Sequence, residues 1–304
     1  MIERPLTPAG LAETRFVPYS DSTGLLSDPV ALQKRRAADG YLFVRDVIPA
    51  EMRDPVFDAA AGVLARWGVA ERDGRELRWT GVELPAYDPL DLYGLPAMEE
   101  LSYTDTLAAI CEELYGEPVW VGKNLLFFFA LPDDPAYVTP PHRDAFGRAW
   151  FGDGDYCTLW MPLAPIAYAD GGLSLQPGTH LEDIPEHGDT RNDELPEFKG
   201  RKQTGRLPRS ERRAKLGAGQ GPKINAGHGL RMTIRDDEWL AGAFEPGDAL
   251  FFSADMIHCG LPFKSETVRL SLVARIYPGR GPKPHQIPLG ERLRQERKHL
   301  LNTT

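Results

Sequence analysis

Two side chains in the stretch PPHRDAF are of types that bind a transition metal. His142 and Asp144 are separated by a single residue. Side chains two residues apart on a β-strand point to the same face, so this spacing predicts an imidazole beside a carboxylate. A second imidazole from elsewhere in the chain would complete the two-histidine, one-carboxylate facial triad, which leaves coordination positions open on Fe(II).

His258 is the best candidate for the second imidazole. It follows the apolar stretch ALFFSADMI, which predicts a strand, and precedes CGLPF. His180 forms a second H-x-acid pair with Glu182, but it follows the turn sequence QPGT, so we interpret it as a turn histidine with a capping role. The remaining histidines fall in polar stretches: His187, His228, His285 and His299.

An arginine within an apolar strand predicts an anion nearby. In TVRLSLVARI, alternation places Arg269, Ser271, Val273 and Arg275 on one face. A buried arginine is costly unless it meets an anion, and its planar guanidinium suits a carboxylate in two-point contact. Arg269 therefore predicts a bound carboxylate ligand. Arg275 is the fallback for that ligand, and a structural ion pair is its expected role.

The ordered set resembles a known family. An H-x-D pair, a distant histidine and an arginine eleven residues beyond it resemble the Fe(II)/2-oxoglutarate-dependent oxygenases. The stretches DGYLFVRDVIP and GGLSLQPGTH are similar to the phytanoyl-CoA dioxygenase (PhyH-like) branch. The resemblance runs from about residue 30 to residue 277 and omits a long polar insertion.

The resemblance implies a ligand set and its cofactors. Fe(II), 2-oxoglutarate as cosubstrate and O2 are the implied cofactors. His142, Asp144 and His258 are the implied metal ligands and catalytic residues. The implied cosubstrate contacts are Arg269 at the distal carboxylate, Ser271, Trp160, and Asn124 in the predicted strand VGKNLLFFF. Many relatives carry a hydroxyl residue two positions after the distal histidine, where this chain has Gly260, which puts one cosubstrate hydrogen bond in doubt.

The resemblance also implies a reaction class. We expect hydroxylation of an unactivated C–H bond of a small molecule, with release of succinate and CO2, and we favour a secondary metabolite. An aspartate at 144 argues for oxygenation, because related halogenases carry a small residue there. The alternatives are oxidative cyclisation or desaturation, acyl-CoA hydroxylation, a cupin-like metal enzyme without 2-oxoglutarate, and a non-catalytic binding sandwich. The candidate substrate contacts are Phe146, Trp150 and Phe128.

The chemistry needs a rigid scaffold, and the sequence predicts one that is mainly β with helical support (α+β). Short strands separated by Gly, Pro and Asp turns favour a sandwich or barrel, and the resemblance implies a double-stranded β-helix (a cupin-like jelly roll). We predict a single domain over 1–304, with helical support and a short strand in 1–118 and the core in 119–277. An insertion or lid is predicted over 181–245 and a tail over 278–304. Local patterns predict a helix ending near Gly40, a strand at Tyr41–Val44, a helix with Pro55 in its first turn, and a helix closed by Gly116.

Composition sets outer limits on the function. Hydrophobic content of 42% and charged content of 26% are ordinary for a globular protein. Three scattered cysteines form no disulfide framework, and no signal peptide or membrane span is evident, so we expect a cytoplasmic protein. Net charge is −9, yet 199–223 carries nine basic residues and one acid. We interpret this segment as a solvated loop and expect no nucleic-acid partner, because aromatic residues are not interleaved with its charges.

Overall fold

Two sheets form the core of the computed structural model, which describes residues 15–132, 139, 141–147, 156–182, 238–281 and 283–303. The larger sheet follows the order β2 (Tyr41–Val44), β10 (Ala249–Ser253), β7 (Cys157–Pro162), β12 (Arg269–Pro278) and β5 (Val119–Val121), and β6 (Leu126–Ala130) also pairs with β12. The smaller sheet follows the order β1 (Arg15–Pro18), β9 (Glu238–Ala241), β8 (Leu173–Leu175) and β11 (His258–Gly260). One apolar cluster contains residues of both sheets, and the predicted mainly β, jelly-roll core is confirmed.

Strand register in the larger sheet fixes which side chains meet above it. β12 runs antiparallel to β7 and to β6 along most of its length. Val273 lies opposite Trp160, and Arg275 lies opposite Thr158. Ser271 lies opposite Phe128 on the other neighbouring strand. Because directly opposed residues project to the same face, these strands build one continuous wall.

Helices pack around the sheets at both ends of the chain. They are α1 (Pro29–Asp39), α2 (Ala50–Arg66), α3 (Leu90–Tyr93), α4 (Pro96–Tyr103), α5 (Asp105–Tyr115) and α6 (Leu289–Thr303). α1 ends at Gly40 and α5 at Gly116, both left-handed with φ of 76° and 87°, as glycine at such caps allows. The predicted helix ends and the strand Tyr41–Val44 are therefore confirmed.

The first part of the chain contributes more to the sheets than predicted. Residues 1–118 were expected to supply helices and one short strand, yet β1 joins the smaller sheet and β2 the larger one. A separate hairpin is formed by β3 (Ala70–Asp73) and β4 (Glu76–Trp79). β1 pairs parallel with β9, more than 200 residues later, a pairing that no local pattern specifies. Pro55 lies in the second turn of α2, not in the first.

The later boundaries also differ from the prediction. The expected insertion 181–245 ends too late, because β9 is a strand of the smaller sheet and its Trp239 is fully buried. Residues 183–237, including the basic segment 199–223, lie outside the described residues. Instead of a polar tail, 278–304 contains α6, whose Arg294 and Arg297 pair with Glu99 and Asp88. In the part of the chain that the structure describes, no helix has the length and apolar character to cross a membrane.

Candidate metal and cosubstrate site

Main-chain hydrogen bonds bring His142 to His258. Each residue donates its N–H to the carbonyl of the other at 2.9 Å, and the two imidazole centroids are 4.1 Å apart. Asp144 begins a short 3-10 helix, Asp144–Gly147. The expectation that His142 and Asp144 share a continuous strand is therefore wrong. The tight turn after the His142 bridge brings the carboxylate round to the imidazoles instead.

The three side chains form a group that fits a metal ion. One ligand atom from each of His142, Asp144 and His258 lies within 4.8 Å of the others. Nε2 of His142 is 3.7 Å and Nε2 of His258 is 3.8 Å from the nearest Asp144 oxygens, too long for hydrogen bonds. Donor atoms about 2–2.2 Å from a common ion lie at most about 4.4 Å apart, so both separations suit ligands of one ion.

The protonation states of the site suit metal binding. His258 is buried. Burial and, to a smaller extent, the nearby His142 lower the pKa of its imidazole to about 3, which keeps the imidazole neutral. Its Nδ1 lies 3.1 Å from the carbonyl of Met256, which can only accept, so Nδ1 carries the proton and Nε2 offers its lone pair. Burial alone would raise the pKa of Asp144, but Arg275 and the two imidazoles hold this pKa well below its usual range.

Both oxygens of Asp144 have partners in the larger sheet. Nη2 of Arg275 donates to Oδ1 at 2.9 Å, and Oγ1 of Thr158 donates to Oδ2 at 2.6 Å. Arg275 thus has the structural ion pair that was its expected role. Sequence reasoning missed Thr158, since only the register of β7 against β12 places it beside Arg275.

Arg269 lies at the other end of the same strand face. It is buried, and its Nη1 donates to the carbonyls of Gly171, Gly172 and Leu261 at 2.9, 3.2 and 3.1 Å. Burial lowers its pKa to about 10, so the guanidinium remains charged at neutral pH. Its Nη2 lies on the side of Gly260, where a Cβ would come within 3.2 Å of it. A residue larger than glycine at 260 would press on this guanidinium.

A single cavity of about 550 Å³, open solvent at its mouth included, connects the triad with Arg269. The predicted contacts Ser271, Trp160 and Phe128 line it, and so does Thr139, which sequence reasoning did not single out. The phenylalanine side chains of β6 point alternately to the two faces of the strand. Phe127 and Phe129 are 3% exposed in the core, while the ring of Phe128 between them faces the cavity.

Three predicted contacts are not placed in the cavity. Asn124 lies between β5 and β6 rather than in a strand, is not among the cavity-lining residues, and its Oδ1 has no hydrogen-bond partner among the described residues. Its role as a cosubstrate contact stays a prediction. Phe146 belongs to the Asp144–Gly147 turn, but its side chain, like all of Trp150, lies outside the described residues.

The second H-x-acid pair has structural partners. Nε2 of His180 is 3.3 Å from the carbonyl of Ala37 in the last turn of α1, which agrees with the predicted capping role. Glu182 pairs at 2.6 Å with Arg143, the residue between the two ligands of the H-x-D motif. Arg143 is itself buried and also donates to the carbonyl of Thr179 at 2.6 Å, so this pair braces the metal-binding turn.

Comparison with known proteins identifies the family. The model of the family described as phytanoyl-CoA dioxygenase (PhyH) matches residues 37–271. The chain belongs to the phytanoyl-CoA dioxygenase family. It is an Fe(II)- and 2-oxoglutarate-dependent oxygenase, as the resemblance implied.

Similar proteins include enzymes named as hydroxylases. This PhyH-family chain is 29% identical over 273 residues to the 1-deoxypentalenic acid 11-beta-hydroxylase of Streptomyces arenae, covering 86% of each chain. It is 26% identical over 268 residues to the enzyme of the same name from Streptomyces exfoliatus, covering 86% of this chain and 85% of that one. The epimerase SnoN, solved with Fe3+, alpha ketoglutarate and nogalamycin RO, has a TM-score of 0.50 at 22% identity over 86% of this chain and 95% of its own, a likeness of fold.

Proposed function

We propose that this PhyH-family enzyme hydroxylates an unactivated C–H bond of a small organic acid that is a secondary metabolite. The observation that carries the proposal is the His142, Asp144 and His258 group at one end of a cavity whose other end holds a buried, charged Arg269. The similarity to two enzymes named as hydroxylases of an acid, over most of both chains, supports the substrate class. A cytoplasmic location and the absence of a nucleic-acid partner stay predictions from the sequence.

The described residues have distinct roles in this proposal. His142, Asp144 and His258 hold Fe(II), which with 2-oxoglutarate and O2 supplies the oxidising chemistry and releases succinate and CO2. Arg269 binds the distal carboxylate of 2-oxoglutarate, and the hydroxyl of Ser271 lies two residues along the same strand face. Val273 and the aromatic wall formed by Trp160, Phe128 and Phe252 exclude water from the reacting groups.

The reaction outcome is open to direct measurement. Purified enzyme is incubated with Fe(II), 2-oxoglutarate and O2 against a panel of small carboxylic acids and acyl-CoA thioesters, and succinate is quantified. We expect an acid to stimulate succinate formation and to gain one oxygen atom by mass spectrometry. Loss of two hydrogens, or an isomeric product, would instead support desaturation, cyclisation or epimerisation. Turnover of thioesters alone would overturn the substrate class.

Binding of the cosubstrate is tested without turnover. The anaerobic complex with Fe(II) and 2-oxoglutarate is expected to show a weak visible charge-transfer band, which His258→Ala and Arg269→Ala should each abolish or weaken. An unchanged band in both variants would refute the residue roles. Substrate turnover by the wild type that needs no 2-oxoglutarate and forms no succinate would favour the cupin-like alternative.

A further inference from the structure

We propose that Thr158 and Arg275 are positioning residues that set the metal affinity of the site by fixing the carboxylate of Asp144. The inference rests on the proposed metal-binding role of that aspartate. Each oxygen of the carboxylate accepts one hydrogen bond from a strand of the larger sheet, at 2.6 Å from Thr158 and 2.9 Å from Arg275. Two such bonds determine both the direction of the carboxylate and its rotation about its own axis.

The fold supplies these two donors as a unit. Thr158 and Arg275 are directly opposed residues of the antiparallel strands β7 and β12, so one cross-strand pair reaches both oxygens. The main chain of the ligand is also held, because the hydroxyl of Tyr156 donates to the carbonyl of Asp144 at 2.5 Å, and the N–H of Ala145 donates to the carbonyl of Ala254 at 2.9 Å. The carboxylate therefore takes its orientation from the sheet as well as from its own short turn.

The ion pair lies in a region with little access to water. Arg275 is 7% and Asp144 5% exposed, and a buried carboxylate without a partner is costly. The guanidinium of Arg275 balances the charge of the carboxylate before a metal binds. The bound metal and the guanidinium then share that carboxylate. Groups that orient a metal ligand in this way typically change metal affinity 10- to 100-fold when they are removed.

Two substitutions separate orientation from charge. Thr158→Val removes only a hydroxyl from a residue of nearly the same shape, and Thr158→Ser restores it. Arg275→Lys keeps the positive charge, but the ammonium ends nearer the backbone and lacks the planar donor set. The matched controls are Ser102→Ala, which removes a buried hydroxyl bonded to the carbonyl of Met98 at 2.7 Å, and Arg45→Lys, whose parent residue pairs with Asp248 at 2.6 Å.

The measurement is the affinity for Co(II) or Mn(II) without cosubstrate, by calorimetry, together with the visible spectrum of the Co(II) form. We expect Thr158→Val and Arg275→Lys to weaken binding about 10- to 100-fold and to alter the Co(II) spectrum. Thr158→Ser and both control variants should stay within about threefold of the wild type, since none of them removes an orienting group.

The outcomes distinguish this inference from the proposed function. Wild-type affinity and an unchanged spectrum in folded Thr158→Val and Arg275→Lys proteins overturn the positioning role and leave the metal site intact. A wild type that binds neither metal overturns the metal site and, with it, this inference. If Arg275→Lys does not fold, the comparison of Thr158→Val with Thr158→Ser decides the question alone.

Discussion

Replacing Arg269 by methionine should selectively remove the binding energy of the distal carboxylate of 2-oxoglutarate. Arg269 is 7% exposed, and one nitrogen of its guanidinium is engaged by three carbonyl groups. The opposite nitrogen lies on the side of Gly260, which lines the cavity. Removing one partner of such a buried, hydrogen-bonded charge pair costs about 2–5 kcal/mol. That loss corresponds to about 30-fold to several thousand-fold weaker binding.

The assay compares two keto acids in calorimetric titrations of Mn(II)-loaded protein under anaerobic conditions. 2-Oxoglutarate has the distal carboxylate, whereas pyruvate shares only the keto-acid end. Arg269→Met should weaken the binding of 2-oxoglutarate strongly and change that of pyruvate by less than about threefold, because pyruvate makes no contact with the guanidinium. Arg45→Met serves as the control, since it removes an arginine that pairs with Asp248 and lies outside the cavity.

Two results would refute this reasoning. Unchanged affinity for 2-oxoglutarate would show that the guanidinium binds no carboxylate. Equal losses for both keto acids would show that Arg269 acts through the fold, by way of the carbonyl groups of Gly171, Gly172 and Leu261 that it joins. Since hydrogen bonds to charged groups contribute about 1.5–3 kcal/mol each, the variant should also be less stable, and binding must be measured well below its melting temperature.

Three further outcomes follow from local geometry and from the linkage between metal binding and folding stability. Gly260→Ala should cost about 1–3 kcal/mol of stability or cosubstrate affinity, because the new Cβ would lie 3.2 Å from Nη2 of Arg269; normal stability and normal calorimetric affinity would contradict this. Gly40→Ala should lower the free energy of unfolding in urea by more than about 1 kcal/mol, since Gly40 has φ of 76° and an added Cβ would lie 2.3 Å from Nδ1 of His180. Adding His180→Ala to this variant should relieve the clash but not the cost of the positive φ. Mn(II) at about a hundred times its Kd should stabilise the fold by about 2.7 kcal/mol, seen as a rise in Tm that Asp144→Ala abolishes.

The grouping of the three candidate metal ligands could be predicted from the sequence, but its local geometry could not. Residue type and order were enough to select His142, Asp144 and His258 from all candidates. The expectation of one strand carrying the first two was wrong because His142 is positioned by main-chain bonds to His258, more than 100 residues away. The alternation of residue types along one strand carries no information about a contact at that separation.

The partners of the site were predictable only in part. Alternation along β12 correctly placed Arg269 and Arg275 on one face, since a strand projects alternate residues to the same side. The partner of each arginine depends on pairings that the chain makes over long distances. Thr158 reaches Asp144 because β7 and β12 pair in one register, and a shift of one residue would turn the threonine away from the cavity.

The two arginines on this strand face differ in whether their positive charge is already paired with a protein carboxylate. They are six residues apart, which is about 20 Å along a strand, so they lie at opposite ends of the cavity wall. Arg275 already pairs with Asp144, whereas Arg269 has carbonyl groups but no carboxylate partner among the described residues. Carbonyl dipoles hold a guanidinium in place without cancelling its charge. An incoming dianion would therefore find its uncompensated cation at Arg269. Under the proposed function, we expect this asymmetry to direct the distal carboxylate of the cosubstrate to that end of the cavity, with its keto-acid group towards the proposed metal ligands.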